Sequence, residues 1–268
     1  MRKNAAIGVF DSGLGGLTVF RALSRRMPEE SLVYFGDTAH VPYGSKSPQA
    51  VERYSVAVAR FLASKGVKLL VVACNTSSAL ALSAIRRAVK VPVVGVIEPG
   101  ARAALAANRG GRIGVIGTEA TVRSGAYPRA LKALGSRART VSQPCPLFVP
   151  LVEEGWWRGK VTDEVARLYA APLRRAGVDT LILGCTHYPY LKPVLSRAMG
   201  REVRLIDSAE ETAVSVEEVL ARLDLRAPGG RRGRREFYAS DAPERFKRLA
   251  RRMLGSSVSR VRLYCFDS

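Results

Sequence analysis

The sequence predicts an α/β protein made of two similar halves, each with a mainly parallel sheet and related by a pseudo-twofold axis. Three observations carry this. Short apolar runs alternate with helix-like stretches along the whole 268-residue chain, the pattern of strands joined by helical crossovers. Landmarks then recur in the same order: IGVFDS at 7–12 with IGVIGT at 113–118, ACNT around Cys74 with GCTH around Cys185, and GVIEP at 95–99 with RLIDS at 204–208, at offsets of 106, 111 and 109 residues. Finally, Cys74 and Cys185 each stand where a strand runs out. Ligands of open α/β sheets bind beyond the carboxyl ends of the strands, so two such ends facing each other place both thiols at one cleft.

Along the chain, the first expected strand is Ala5–Phe10, followed by Asp11-Ser12-Gly13-Leu14-Gly15-Gly16. The glycines allow a tight turn, and the helix N-terminus behind them suits an anion. Thr18 stands where a dinucleotide fingerprint needs its third glycine, so that motif is excluded. The strand Leu32–Gly36 leads into Asp37 and the turn Pro42-Tyr43-Gly44, a loop rich in N–H donors. A helix is expected over Gln49–Lys65, then the strand Leu69–Ala73 ending at Cys74-Asn75-Thr76, then a strand Val93–Ile97.

The second half opens with the strand Ile113–Ile116. Thr118 and Thr121 then offer hydroxyls where Ser12 offers one in the first half, and either can also cap a helix,. Thr140–Ser142 reads as the next strand, and Glu153 in PLVEEGWW either reaches the cleft or caps a helix. The helix Thr162–Ala176 closes at Gly177,. The strand Thr180–Leu183 runs into Cys185-Thr186-His187, and Val203–Ile206 is the last strand of this half. Beyond it the chain is expected to cross back, giving a discontinuous first domain of residues 1–97 and 209–268 and a second of 98–208. GGRRGRR at 229–235 reads as an exposed connector before the strand-like EFYAS and a helix over Ala242–Leu254.

A lone cysteine usually packs as a small hydrophobe, which is the reading for Cys145 and Cys265. Two at matched strand ends suit a reaction that needs an acid and a base on opposite sides of one carbon. A free thiol of pKa about 8.5 is only about 3% thiolate at pH 7, so each needs help. His187, two residues from Cys185, is the candidate proton partner there, and Asp11 can serve the Cys74 side; His40 carries no functional weight.

Composition excludes other classes. Four cysteines without a C-x-x-C pair make neither a disulfide scaffold nor a zinc ribbon,. Two histidines and no H-E-x-x-H argue against a metal site,, and no P-loop is present. The opening apolar run stops at Asp11, too short for a secretory leader, and no apolar run of about 18 residues could span a membrane. Reduced thiols in a cytoplasm are expected. The net charge of +20, from 43 basic and 23 acidic side chains, permits contact with nucleic acid, but a solvated basic surface is the preferred reading.

FDSGLGGLTV, FGDTAHVPYGSK, VVACNTSSA, VIEPG, VIGTEATVRSGAY, CPLFVPLVEEG, LGCTHYP and IDSAEETA run almost end to end. Through them the chain resembles the aspartate/glutamate racemase family, and within it the glutamate racemases. The resemblance implies racemisation of L- and D-glutamate without cofactor, supplying D-glutamate for peptidoglycan, with aspartate racemisation as the alternative. It implies Cys74 and Cys185 as the two bases, with Asp11, Asp37, Glu153 and His187 assisting. It also implies substrate contacts from Asp11, Ser12, Tyr43, Gly44, Asn75, Thr76, Thr186 and His187, to which the loop and repeat readings add Pro42, Thr118 and Thr121 as candidates. A homodimer is the expected assembly, with glutamate the small-molecule partner.

Overall fold

A computed structural model describes residues 2–255 and 258–266. The first sheet contains β1 (Ile7–Asp11), β2 (Leu32–Gly36), β3 (Leu69–Val72) and β4 (Val93–Gly95). The second contains β5 (Arg112–Gly117), β6 (Thr140–Pro144), β7 (Val178–Gly184) and β8 (Arg204–Ile206). Late in the chain β9 (Arg235–Ala239) and β10 (Arg262–Leu263) return to the first sheet. The orders are β10-β9-β2-β1-β3-β4 and β6-β5-β7-β8, and every strand pair is parallel. The order 2-1-3-4 thus recurs as 6-5-7-8, the duplication that the sequence landmarks trace.

The helices are α1 (Leu17–Arg26), α2 (Pro48–Ser64), α3 (Asn75–Leu80), α4 (Leu82–Ala88), α5 (Ile97–Ala107) and α6 (Glu119–Arg123). They continue as α7 (Ala126–Ala133), α8 (Phe148–Glu153), α9 (Lys160–Arg175), α10 (Lys192–Met199), α11 (Ser208–Arg222) and α12 (Pro243–Leu254). None among the described residues is long and apolar enough to cross a membrane.

Both faces of each sheet are covered, which is why the strands read as continuous apolar runs rather than alternating ones. In β1 and β3, Ile7, Val9, Leu69 and Val71 face Leu17, Phe20 and Leu23 of α1, Val216 of α11 and Phe246 of α12. Phe10, Leu70 and Val72 point the other way, onto Val58 and Leu62 of α2 and Ile85 of α4. In the second sheet Leu181 and Leu183 pack under α8, α9 and α10, while Ile113, Val115 and Ile182 pack against Ala101 of α5 and Tyr127 and Leu131 of α7. Helix α11 lies against both α1 and α5, so it touches helices that precede and follow residue 97.

Two expectations shift on inspection. The apolar run Val93–Ile97 is strand only to Gly95, because Val96 turns into the helical region and its N–H is taken by Ser78 Oγ at 3.2 Å, letting α5 begin at Ile97. The connector 229–235 is exposed as expected except at Gly233 and Arg235, which are half-buried. Gly233 donates its N–H to Pro28 O at 3.0 Å, and Arg235 already belongs to β9.

Candidate functional site

The site forms where the carboxyl ends of β1 and β3 meet those of β5 and β7. Asp11 ends β1 and is fully buried. Its Oδ2 accepts the Gly13 N–H at 3.0 Å, and its Oδ1 accepts the Thr186 hydroxyl, from the other half, at 3.1 Å. Burial raises its pKa, while the charge of His187 and the bonds from Gly13, Gly16 and Thr186 oppose the rise. The glycine loop is glycine for a steric reason. A Cβ at Gly15 would stand 2.3 Å from Thr186 Oγ1 and 2.7 Å from His187 Nδ1, so this backbone touches the opposite half directly. Tyr34 steadies the loop by donating its hydroxyl to Gly13 O at 2.9 Å.

Cys74 caps α3. Its Sγ accepts the Ser77 N–H at 3.5 Å and lies 3.8 Å from Ser12 Oγ. Burial, and then the charge of Asp11, push the thiol pKa up to about 11 against the bonds from Ser77 and Ser12. Cys74 therefore rests as a thiol at neutral pH. Cys185 follows β7, with Sγ 3.7 Å from His187 Nδ1, and His187 Nε2 is 3.1 Å from Glu153 Oε1. Burial works against charge on His187, but its bonds to Cys185 and Glu153 outweigh that and hold its pKa well above the usual imidazole range. An imidazolium is a favourable counter-charge for a sulfur that has given up its proton. The two sulfurs thus have different partners: a serine and an amide on one side, a His–Glu pair on the other.

A set of hydroxyl and amide groups begins directly after Cys74, at Asn75 and Thr76. Thr76, Thr118 and Thr121 form a triangle of hydroxyls at 3.0, 3.2 and 3.0 Å, joining α3 to the start of α6. Asn75 Oδ1 accepts the Tyr127 hydroxyl at 2.6 Å, while its buried Nδ2 has no partner among the described residues. A buried amide donor without a partner is costly unless something else accepts from it. Gly44 sits against the triangle, since a Cβ there would be 2.5 Å from Thr118 Cβ. Cys74 and Cys185 are 5% and 6% exposed, and the adjoining space is small: a cavity of about 100 Å³ between Gly13, Val41 and Glu153, and one of about 20 Å³ beside His187 and Trp157.

Most of the expected site residues are brought together here, and two are placed differently. Pro42 is exposed and only leads into the turn at Tyr43–Ser45. Asp37 bonds to the Tyr43 hydroxyl, to Ser240 Oγ at 2.6 Å and to His40 Nδ1 at 2.9 Å. Its link to Cys74 runs through Tyr43, which packs on that residue. Ser240, Ser77 and Tyr127 escaped the sequence reading, and His40, given no functional weight there, bonds to Asp37. The i, i+3 spacing of Asp37 and His40 was a usable signal; Ser240 comes from 203 residues away and left none.

Comparison with known proteins finds relatives over nearly the whole chain. The Asp/Glu/Hydantoin racemase family matches residues 8–216. A glutamate racemase of Geobacter metallireducens is 54% identical over 256 residues, covering 96% of this chain and 95% of the relative. The structure of glutamate racemase from Thermus thermophilus in complex with beta-chloro-D-alanine has a TM-score of 0.88 at 47% identity over 99% of each chain. That of the Francisella tularensis glutamate racemase in complex with D-glutamate has a TM-score of 0.92 at 34% identity, again over 99% of each chain. On these matches and this fold, the chain belongs to the Asp/Glu/Hydantoin racemase family, a family of isomerases.

Proposed function

We propose that the chain interconverts L- and D-glutamate by a two-base mechanism without cofactor, supplying D-glutamate for peptidoglycan. The observation that carries the reading is the placement of two buried sulfurs at the ends of the equivalent strands β3 and β7. Asp11 is hydrogen-bonded beside one of them, and its charge is felt at the other. The Francisella relative binds D-glutamate, and the relatives of high identity are glutamate rather than aspartate racemases, which favours the longer acid. We also read the division of the chain as residues 1–97 with 209–268 against 98–208, the cleft lying between them.

In this mechanism the α-carbon lies between the sulfurs. When Cys185 is the base, His187 balances the thiolate, and Cys74, resting as a thiol, gives its proton to the opposite face. In the reverse direction Cys74 must first be a thiolate. Its raised pKa then makes it a strong base, matched to a weakly acidic C–H. Charge developing on the α-carboxylate needs donors already in place, and Asn75 Nδ2 with the hydroxyls of Thr76, Thr118 and Thr121 supplies them. Enantiomers have equal free energy, so the mixture ends at a ratio of one.

Incubation with L-glutamate in D2O tests this: optical rotation falls to zero while deuterium enters the α-position. Cys74→Ser and Cys185→Ser each lower turnover by about 10²–10⁴-fold, and near-normal racemisation by either variant refutes the two-thiol assignment. Faster turnover of aspartate in the same assay makes aspartate the substrate.

A further inference from the structure

We propose that the cavity walled by Arg21, Arg25, Arg232 and Arg235 binds a small polyanion with clustered phosphoryl groups. It encloses about 640 Å³, ample for a compact ligand. It lies at the amino end of the first sheet, where Arg235 and Leu32 pair in register as the first residues of β9 and β2, and where α1 ends. The cysteines stand at the opposite ends of the strands, so this cavity is outside the candidate active site, and the proposal does not depend on the reaction assigned there.

Three of the arginines have no paired carboxylate, and the Glu30 charge is felt at Arg235 only. Arg21 and Arg25 are one turn apart on α1, a spacing at which like charges repel. Their neighbour Arg26 pairs with Glu217 at 2.5 Å. Arg21, Arg25 and Arg232 have no hydrogen-bond or ion-pair partner among the described residues. Arg235 is anchored by Ser24 Oγ at 3.0 Å and by the carbonyls of Glu30 and Pro28 at 2.5 and 3.3 Å. Burial and then the charge of Arg232 lower its pKa.

The loop that brings Arg232 here is built in rather than trailing. Gly233 is bound to Pro28 O, the Arg234 N–H is bound to Ser31 Oγ at 3.0 Å, and a Cβ at 233 would lie 2.2 Å from the backbone of Glu30. Only glycine lets the loop lie this close. Guanidinium forks match phosphoryl oxygens in pairs. Four positive charges around one concave space call for a ligand with several negative charges close together, which a single carboxylate lacks.

Calorimetric titration of the full chain at ~0.1 M salt, with inorganic triphosphate, ATP and orthophosphate as probes, tests the assignment. Triphosphate should bind with a dissociation constant below about 1 mM, orthophosphate about tenfold or more weaker, and Arg25→Ala/Arg232→Ala should weaken triphosphate about tenfold or more. Far-UV circular dichroism and glutamate racemisation of the variant serve as folding checks. Tighter binding of ATP than of triphosphate identifies a nucleotide-type ligand using the apolar wall at Phe20 and Met253; equal binding identifies inorganic polyphosphate. No binding of either, unchanged binding by a folded double variant, or binding of duplex DNA alone overturns the proposal.

Discussion

The two candidate bases are chemically unlike, and the difference is set by single neighbours. Cys74 is held as a thiol by burial and by the charge of Asp11, with a pKa of about 11. At pH 8 such a group is about 0.1% thiolate, against about 24% for a free thiol of pKa 8.5. Peptide-resolved alkylation by iodoacetamide should therefore show Cys74 reacting with a rate that climbs tenfold per pH unit to beyond pH 10; a plateau near pH 8.5 contradicts the assignment. In Asp11→Asn the rise should level off at lower pH than in the parent, because the repelling charge is gone. The same substitution bears on stability. Burial raises the pKa of Asp11 above its unfolded value, so its contribution is full below about pH 4 and is lost as pH rises through the folded pKa. Asp11→Asn should raise the melting temperature at pH 7 while lowering turnover, and the gain should vanish in acid. A variant less stable than the parent at pH 7 would count against this account.

Elements meet at the cleft through backbone as much as through side chains. The glycine turn after β1 reaches Thr186 and His187 so closely that the methyl group of Gly15→Ala has no room. That methyl would push apart Asp11–Thr186, which joins the halves, and disturb the His187–Cys185 contact beside it. A misplacement of about 1 Å costs about 100-fold in rate, so Gly15→Ala should lose at least that much turnover and keep its far-UV circular dichroism. Full activity would show that the turn moves aside freely. The same geometry explains what was legible. The strand ends at Asp11, Cys74 and Cys185 stood out because an apolar run stops at a polar or sulfur-bearing residue followed by a helix. Tyr127 and Ser240 did not, because an isolated hydroxyl in a helix or at a strand end has no periodic signature.

At the scale of the molecule, one buried ion pair ties distant segments of the first sheet together. Lys68, immediately before β3, is fully buried with Nζ 2.5 Å from Glu30 Oε2. It also donates to Lys3 O at 2.5 Å and Leu225 O at 2.7 Å, while Glu30 Oε1 accepts the Ala227 N–H at 2.7 Å. The chain start and the segment returning after α11 are thus fixed at the amino end of the sheet, far from the cysteines. Removing one member leaves the other charge buried, a loss of about 3–5 kcal/mol. Lys68→Ala should lower the unfolding free energy by that amount, measured by urea denaturation, and leave racemisation of the folded fraction unchanged; a loss under about 1 kcal/mol would mean that water reaches Glu30.

The sequence by itself determined the alternation of strands and helices, the duplication, and the two cysteines at matched strand ends, because burial on both faces and strand-to-helix turns leave local, repeating marks in composition. It also singled out Asp11 and His187 as candidate partners of the two thiols. Tertiary structure alone decided that Asp11 bonds to Thr186 across the cleft, that Asp37 bonds to Tyr43, which packs on Cys74, that β9 adds to the edge at β2, and that Arg232 and Arg235 line one cavity with Arg21 and Arg25 of α1. Those outcomes depend on contacts between residues up to about 200 positions apart, and such contacts are fixed by packing and charge in three dimensions, which no local pattern encodes.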